Sequence, residues 1–433
     1  MRFASILTSG LTSLSGAILA EASGGDSFLG PVFTAPVNIS KSPSLSSSLG
    51  QMAQDITTAL NAAFGQETEN SVAICGFSIH DFGESPLFDY YHTGNDLSPN
   101  GTGNVGPDTV FRIGSISKLF TVYQLLLQGG HNLLNEPIWR YLDGLPANDD
   151  YNANPTVKWD EITVGALAGQ MGGILRDYNH ADLAGLNLPF QELGLPKLSD
   201  EDIPHCDGSL SQPLCSRNVG QPWEIYRQAD RDHVVDYYTK GGSIGSYESL
   251  IVLIPDYGIS FSVLTVGKDS HLGLKLADVI KDTVLAGVAT AAREQSAQQF
   301  AGRYEITDQP GNLLIIAVDE KPGLVIREWK SNSIDFLQVA QDYAASTGSG
   351  LQSVRLYPTG ISNCDQVIFR AVYNTTSGTS QSGLFERGYQ AWEGVDQLVY
   401  GQRPLDEFVF EMEDHLATKV ECKGLLRTLE RVG

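Results

Sequence analysis

The clearest pattern in the chain is helical. In FRIGSISKLFTVYQLLLQGG, residues 111–130, Ile116, Leu119, Phe120, Tyr123, Leu126 and Leu127 recur at the spacing of one helix face. Gly129-Gly130 is a stop signal. The preceding TVFRI alternates and is rich in β-branched and aromatic residues, so it predicts a short strand. Gly114-Ser115 is then a strand-to-helix corner. SLGQMAQDITTALNAAF, residues 48–64, predicts an earlier helix, and SVAICGFSIHDF and PLFDYYHTG predict two strands. WDEITVGALAGQMGGI predicts a helix entered at Asp160 or Thr163 and closed by Gly172-Gly173.

From about 175 to 222 the chain is irregular and rich in Pro, Asp and Gly. Order returns at VVDYYTKGG, residues 234–242. SYESLIVLIPDYGISFSVLTVG then predicts two strands joined by the Pro255-Asp256-Tyr257-Gly258 turn. HLGLKLADVIKDTVLAGVATAAREQ predicts a long amphipathic helix. Together these elements suggest one α+β domain with an antiparallel sheet. After Gln299 the pattern changes. LLIIAV and LVIREW flank a DEKPG turn, and further alternating strands are expected to the end. Residues 299–433 are therefore read as a small C-terminal β domain, and 23–298 as the first domain.

Composition narrows the function. A net charge of −23 argues against nucleic acid or an anionic membrane as a partner. Residues 1–22 carry one positive residue, a moderately apolar stretch and Ala20-Glu21-Ala22 as a cleavage site, which predicts a secretory signal and an extracellular protein. The sequons at Asn38, Asn100 and Asn374 are candidate glycosylation sites in such a protein. Of the five cysteines, Cys206 and Cys215 bracket a short polar loop, and Cys364 and Cys422 share the C-terminal region; both pairs are candidate disulfides. Cys75, in an apolar run, reads as a buried free thiol. No His/Cys/Asp/Glu cluster has metal-ligand spacing, and no cofactor is implied.

The candidate chemistry lies at the Ser115 corner. Ser115 could simply be an N-cap. A capping serine, however, prefers Glu or Gln three residues later, and here that position is Lys118. The positive end of the helix dipole disfavours a cation there. Desolvation and the dipole would both favour a neutral amine, which could take the proton of the serine hydroxyl. Gly241-Gly242-Ser243-Ile244-Gly245 also fits a G-x-S-x-G nucleophile elbow. That motif needs a following helix, and YESLIVLIPDYG predicts strand and turn instead.

These residues resemble the serine β-lactamase and penicillin-binding protein superfamily, in its class C-like branch and a fungal secreted group within it. The resemblance is carried by GPVF (30–33), FRIGSISKLFTVYQLLLQGG, GILRDY (173–178), and PWEIYR with VVDYYTKGGSIGSYESLIVLIPDYG. It implies a transpeptidase-like antiparallel sheet flanked by helices. It also implies Ser115 as nucleophile, Lys118 as its base partner, and Lys240-Gly241-Gly242 as a variant of the family's third motif. Lys240 would then sit beside a substrate carboxylate or developing oxyanion, and the glycines would let substrate approach the strand edge. The oxyanion hole would use the N–H groups of Ser115 and of Ser243 or Ile244. The implied substrate is a small-molecule ester or amide; the oligomeric state is not implied.

The second family motif, Tyr-x-Asn, occurs nowhere in the chain. Only 122 positions separate Lys118 from Lys240, short for this family, and the resemblance breaks near 216–220. Ser216-Arg217-Asn218 matches the alternative Ser-x-Asn form but sits at the break itself and reads as coincidence. The expectation is a reduced helical lobe with newly exposed apolar surface. Three functional readings stand. One is a serine hydrolase. The second is a catalytically impaired protein, or a truncated version of a hydrolase. The third is an acyl-transferring tailoring enzyme of secondary metabolism.

Overall fold

The computed structural model describes residues 28–29, 31–64, 69–81, 85–95, 101–142, 162–170, 172, 218–230, 233–268, 271–346, 348–363, 365–376, 398–400 and 403–432. Its first sheet has eight strands: β1 (Phe28–Leu29), β2 (Ser71–Ser78), β3 (Phe88–His92), β4 (Asn218–Gly220), β5 (Trp223–Asp230), β6 (His233–Ile244), β7 (Tyr247–Ile254) and β8 (Ile259–Val266). The order is β3-β2-β8-β7-β6-β5-β4, antiparallel throughout, with β1 added in parallel to β6. The 3-10 turn Pro255–Tyr257 joins β7 to β8 at the expected place.

One face of this sheet is covered by two helices, α1 (Pro43–Phe64) and α4 (Leu272–Phe300). Helix α1 starts earlier than its periodicity indicates. Pro43 suits a first helical turn, where no N–H is required, and Ser42 Oγ accepts from the Leu45 N–H. Leu276, Ile280, Val284 and Val288 of α4 are buried with Met52 and Ile56 of α1 and Val252, Phe261 and Val263 of the sheet. Each such side chain contributes about 1.5–3 kcal/mol on burial. The short helices α2 (Ser117–Gly129) and α3 (Val164–Ala168) form a smaller cluster with Ile138, Ile162 and Val164. Thr163 caps α3, its hydroxyl accepting from the Ala166 N–H; the helix ends at Gly169, ahead of the Gly172-Gly173 stop signal.

The second sheet comprises β9 (Gly302–Glu305), β10 (Leu313–Ala317), β11 (Leu324–Ser331), β12 (Ile334–Asp335), β13 (Gly350–Ser362), β14 (Gln366–Thr376), β17 (Glu407–Glu413), β18 (Leu416–Cys422) and β19 (Arg427–Val432). A separate hairpin pairs β15 (Val399–Tyr400) with β16 (Arg403–Pro404). Because β10 pairs with both β9 and β11, the large sheet closes on itself and leaves β12 outside the ring. Closure removes the edges that an open sheet would expose. Phe300, the last residue of α4, packs edge-on against Phe369 and Phe410, with ring centroids 4.9 and 5.1 Å away. The core is therefore continuous from the first sheet to the second. Helix α5 (Phe336–Ser346) has no counterpart in the sequence reading; Phe336 anchors it over Trp329, 4.0 Å between ring centroids.

Three other expectations change. TVFRI is not a strand: the Ile113 carbonyl accepts from Ser249 Oγ, and Val110 is 88% exposed. Cys422 is a free, buried thiol, so the expected pairing with Cys364 is absent. Its register explains why. Cys422 lies opposite Phe408, whereas Asp365 reaches Met412, about 13 Å farther along the same strand at roughly 3.3 Å per residue. Burial pushes the Cys422 thiol up to about 12, which makes it unreactive. Cys206, Cys215, Cys364 itself, the signal segment 1–22 and Asn100 lie outside the described residues. Asn38 is exposed, and Asn374 is half-buried with its amide donating to Ser353 Oγ. Cys75 is free and half-buried, its thiol pushed up by burial and then by Asp89.

A buried ion pair fastens the second sheet. The Arg355 guanidinium, 2% exposed, donates to Asp319 at 2.6 and 3.2 Å and to the carbonyls of Lys321, Pro322 and Gly323. The Arg355 hydrogen bonds, then the Lys321 N–H and the nearby arginine charges, hold the Asp319 carboxyl below its usual range. A depressed folded-state pKa stabilises the protein above the unfolded value, and that contribution disappears as pH falls through the folded one. Asp319→Asn is expected to cost about 2–3 kcal/mol at pH 7, less than the roughly 3–5 of a fully enclosed pair. The gap between the melting temperatures of wild type and variant should close as the pH is taken below 4, roughly the ordinary carboxyl range.

Candidate active site

The Ser115 corner lies across the hairpin end of β6 and β7. Gly114–Ile116 is a 3-10 turn, and α2 begins at Ser117. Two glycines make the close approach possible. Gly114 has φ +49°, and a Cβ there would lie 2.7 Å from the Ser243 backbone nitrogen. A Cβ on Gly242 would lie 2.2 Å from the Ile113 carbonyl oxygen and 2.8 Å from the Ser115 nitrogen. Ser249, opposite Gly242 in the β6–β7 register, locks the contact. Its hydroxyl sits 2.8 Å from the Ile113 carbonyl and 3.2 Å from that of Gly242.

Ser115 does not cap α2. The N-cap position is Ile116, and no side chain bonds there. The Lys118 ammonium instead donates to Ser115 Oγ at 2.9 Å. Ser115 is half-buried and Lys118 exposed. The desolvation expected around Lys118 is therefore not found, although its place in the first helical turn is. On α2 an apolar stripe has no described element packed over it: Phe120, Tyr123 and Leu127 are 62%, 61% and 63% exposed.

Lys240 is placed differently from the expectation. Its side chain is 5% exposed, and its ammonium lies 2.5 Å from Glu224 Oε1 on β5. It also donates to the Gly241 carbonyl at 2.9 Å, while the Gly241 N–H donates to Glu224 Oε2 at 3.1 Å. Gly241-Gly242-Ser243-Ile244-Gly245 runs from strand into the hairpin turn, with Gly245 at φ +60° and β7 following, so it is not a nucleophile elbow. Asn218 begins β4; Ser216, Arg217 and Tyr178 lie outside the described residues.

The structure thus brings Ser115, Lys118, Gly242 and Ser243 together, and gives Lys240 a carboxylate partner of its own. Sequence reasoning misses Glu224 and Ser249. Glu224 lies within PWEIYR, a stretch with no strand assigned, and only the β5–β6 register carries it next to Lys240. Ser249 leaves a fainter signal, a small polar residue entering an otherwise apolar strand. Among the described residues no group of three His, Cys, Asp or Glu could hold a metal ion.

Gly242→Ala tests the contact. The added methyl meets backbone atoms, which have no rotamer to yield, so the corner must lift from β6. We expect a loss of about 1–3 kcal/mol in thermal or urea unfolding. Gly103→Ala, where a Cβ meets nothing within 4 Å, should change stability by less than about 0.5 kcal/mol.

Comparison with known proteins places this geometry in context. Residues 292–433 match the family described as "Beta-lactamase-like-like, C-terminal domain". The chain is 27% identical over 223 residues to "Beta-lactamase-like protein" of Arthroderma benhamiae, covering 44% of this chain and 37% of that one. It is 32% identical over 185 residues to "Probable hydrolase M10" of a Phoma species, covering 40% of this chain and 29% of that one. In these matches the chain spans less than half the length of either relative. Among solved structures, a β-lactamase/D-alanine carboxypeptidase from Yersinia pestis is 12% identical with a TM-score of 0.37, covering 56% of this chain and 98% of that one. Residues 292–433, the C-terminal third, thus match that domain family, and parts of the chain are similar to fungal proteins that carry β-lactamase-like and hydrolase names.

Proposed function

We propose that the protein is a serine hydrolase acting on a small ester or amide through an acyl-enzyme on Ser115. The observation that carries this reading is the 2.9 Å contact between Lys118 Nζ and Ser115 Oγ, on a corner fixed to β6. With Lys118 in its neutral form, its nitrogen takes the hydroxyl proton as Oγ attacks the carbonyl carbon. The backbone N–H groups of Ser115 and Ser243 receive the developing oxyanion. The tetrahedral species then collapses, the C–O or C–N bond breaks, and the leaving group takes the proton from Lys118. Water repeats the sequence in reverse roles and frees the acid. An alcohol in place of water would make the same site an acyltransferase.

A catalytically impaired protein is the second reading. It is favoured by the exposure of Lys118 and by the absence of the Tyr-x-Asn pattern from the sequence.

Labelling by a fluorophosphonate separates the two. The proposed reading predicts stoichiometric modification of wild type and none of Ser115→Ala. Lys118→Met should slow labelling by about 10²–10⁴-fold, the usual worth of a positioned base. Equal labelling of Ser115→Ala, or an unlabelled wild type that melts cooperatively, would favour the impaired protein.

A further inference from the structure

The Lys240 ammonium and the Gly241 N–H are two donors side by side at the sheet position next to the Ser115 corner. Together they form a cradle for a carboxylate. Glu224 fills it. One of its oxygens takes the ammonium at 2.5 Å and the other takes the N–H at 3.1 Å. The Glu224 side chain therefore stands where an external carboxylate would bind, using the same two hydrogen bonds.

We infer that Glu224 sets the substrate class of this site, by occupying the carboxylate cradle of Lys240 and Gly241 so that the site takes uncharged acyl substrates and turns away anionic ones. This rests on the Ser115 reading for the word substrate, but the occupied cradle is a feature of the fold itself. The geometry makes displacement costly. Lys240 is 5% exposed, so an incoming carboxylate would have to separate a largely buried ion pair. It would also bring a second negative charge against Glu224, whose side chain is 34% exposed and so reaches solvent. The net charge of −23 adds a long-range repulsion of anions.

The chemistry expected of the Lys240-Gly241-Gly242 triplet is thus redirected. Its lysine is paired internally and holds β5 to β6. Thr239 reinforces the same seam, its hydroxyl donating to the Glu224 carbonyl at 2.8 Å.

Two measurements test the inference. The first compares hydrolysis of p-nitrophenyl butyrate with that of mono-p-nitrophenyl succinate, which adds a carboxylate. Wild type should favour the butyrate by at least about tenfold in kcat/KM. Glu224→Gln keeps the shape and frees the cation, and should shift the ratio toward the succinate by about 10–100-fold. An unchanged ratio in Glu224→Gln, with both esters still cleaved, would overturn the inference.

The second measurement needs no catalysis. In a Ser115→Ala background, the melting temperature is followed against sodium acetate, with sodium chloride at matched ionic strength as control. Glu224→Ala should rise saturably with acetate as it enters the vacated cradle, while the Glu224 parent stays flat. A parent that responds as strongly as Glu224→Ala, or a Glu224→Ala variant that does not respond, would overturn the inference. If no ester is cleaved by any form, the Ser115 reading fails and the acetate response still decides whether Glu224 fills the cradle.

Discussion

The Ile113 carbonyl and the Gly242 α-carbon are so close that a single methyl group between them would stand 2.2 Å from the oxygen. Nearly everything else at the site follows from that contact. It requires glycine at 242, and glycine at 114 where the chain turns with positive φ against Ser243. The Ser249 hydroxyl ties the two segments together, within hydrogen-bond distance of the Gly242 carbonyl and of the Ile113 carbonyl, which also accepts from the Ile116 N–H. The contact also sets the 3-10 turn that lifts Ser115 clear of the helix, where its oxygen meets Lys118 instead of capping α2. The sheet beneath can bear this load. Its other face is packed on α1 and α4 by side chains such as Val235, Val252, Phe261 and Val263, so β6 and β7 present a stiff platform.

Two lysines meet opposite conditions on this platform. Lys118 reaches the serine from the first turn of α2 but remains in water. Lys240 is enclosed, and an enclosed cation needs a counter-charge, which Glu224 provides. The stripe of Phe120, Tyr123 and Leu127 on α2 belongs to the same picture: apolar positions at helical spacing with no described element packed over them. The second sheet is joined to the platform through Phe300, so the core does not stop where the sequence pattern changes.

Long, regular segments are legible in the amino-acid sequence. The α2 and α4 periodicity and the alternation of SYESLIVLIPDYGISFSVLTVG lead to the right elements; in α4 and the two strands burial of one face imposes those periods, whereas α2 carries its apolar stripe with Phe120, Tyr123 and Leu127 exposed. The Ser115–Lys118 pair is legible for the same reason, since residues three apart share a helical face. TVFRI misleads because extended coil and strand show the same alternation, and only a ladder partner tells them apart; here the partner is a serine hydroxyl. β5 and its Glu224 stay hidden because strand pairing couples positions that sequence spacing does not relate. A shared region suggests a partner for Cys422, whereas strand register decides distance. Helix α5 does carry a local signature, Phe336, Ala340 and Ala344 at helical spacing behind the capping Asp335, but it is short and set among strands; the stacking of Phe336 on Trp329 holds it to the sheet.

The central claim is that Ser115 Oγ is an activated nucleophile. Its most direct measurement is the intact mass of the protein quenched in acid seconds after mixing with a p-nitrophenyl ester, followed by peptide mapping. The account predicts one added acyl group, carried by the peptide that contains Ser115 and lost on longer incubation as water releases it. A folded protein that gains no mass, or an acyl group that maps to another residue, would contradict it.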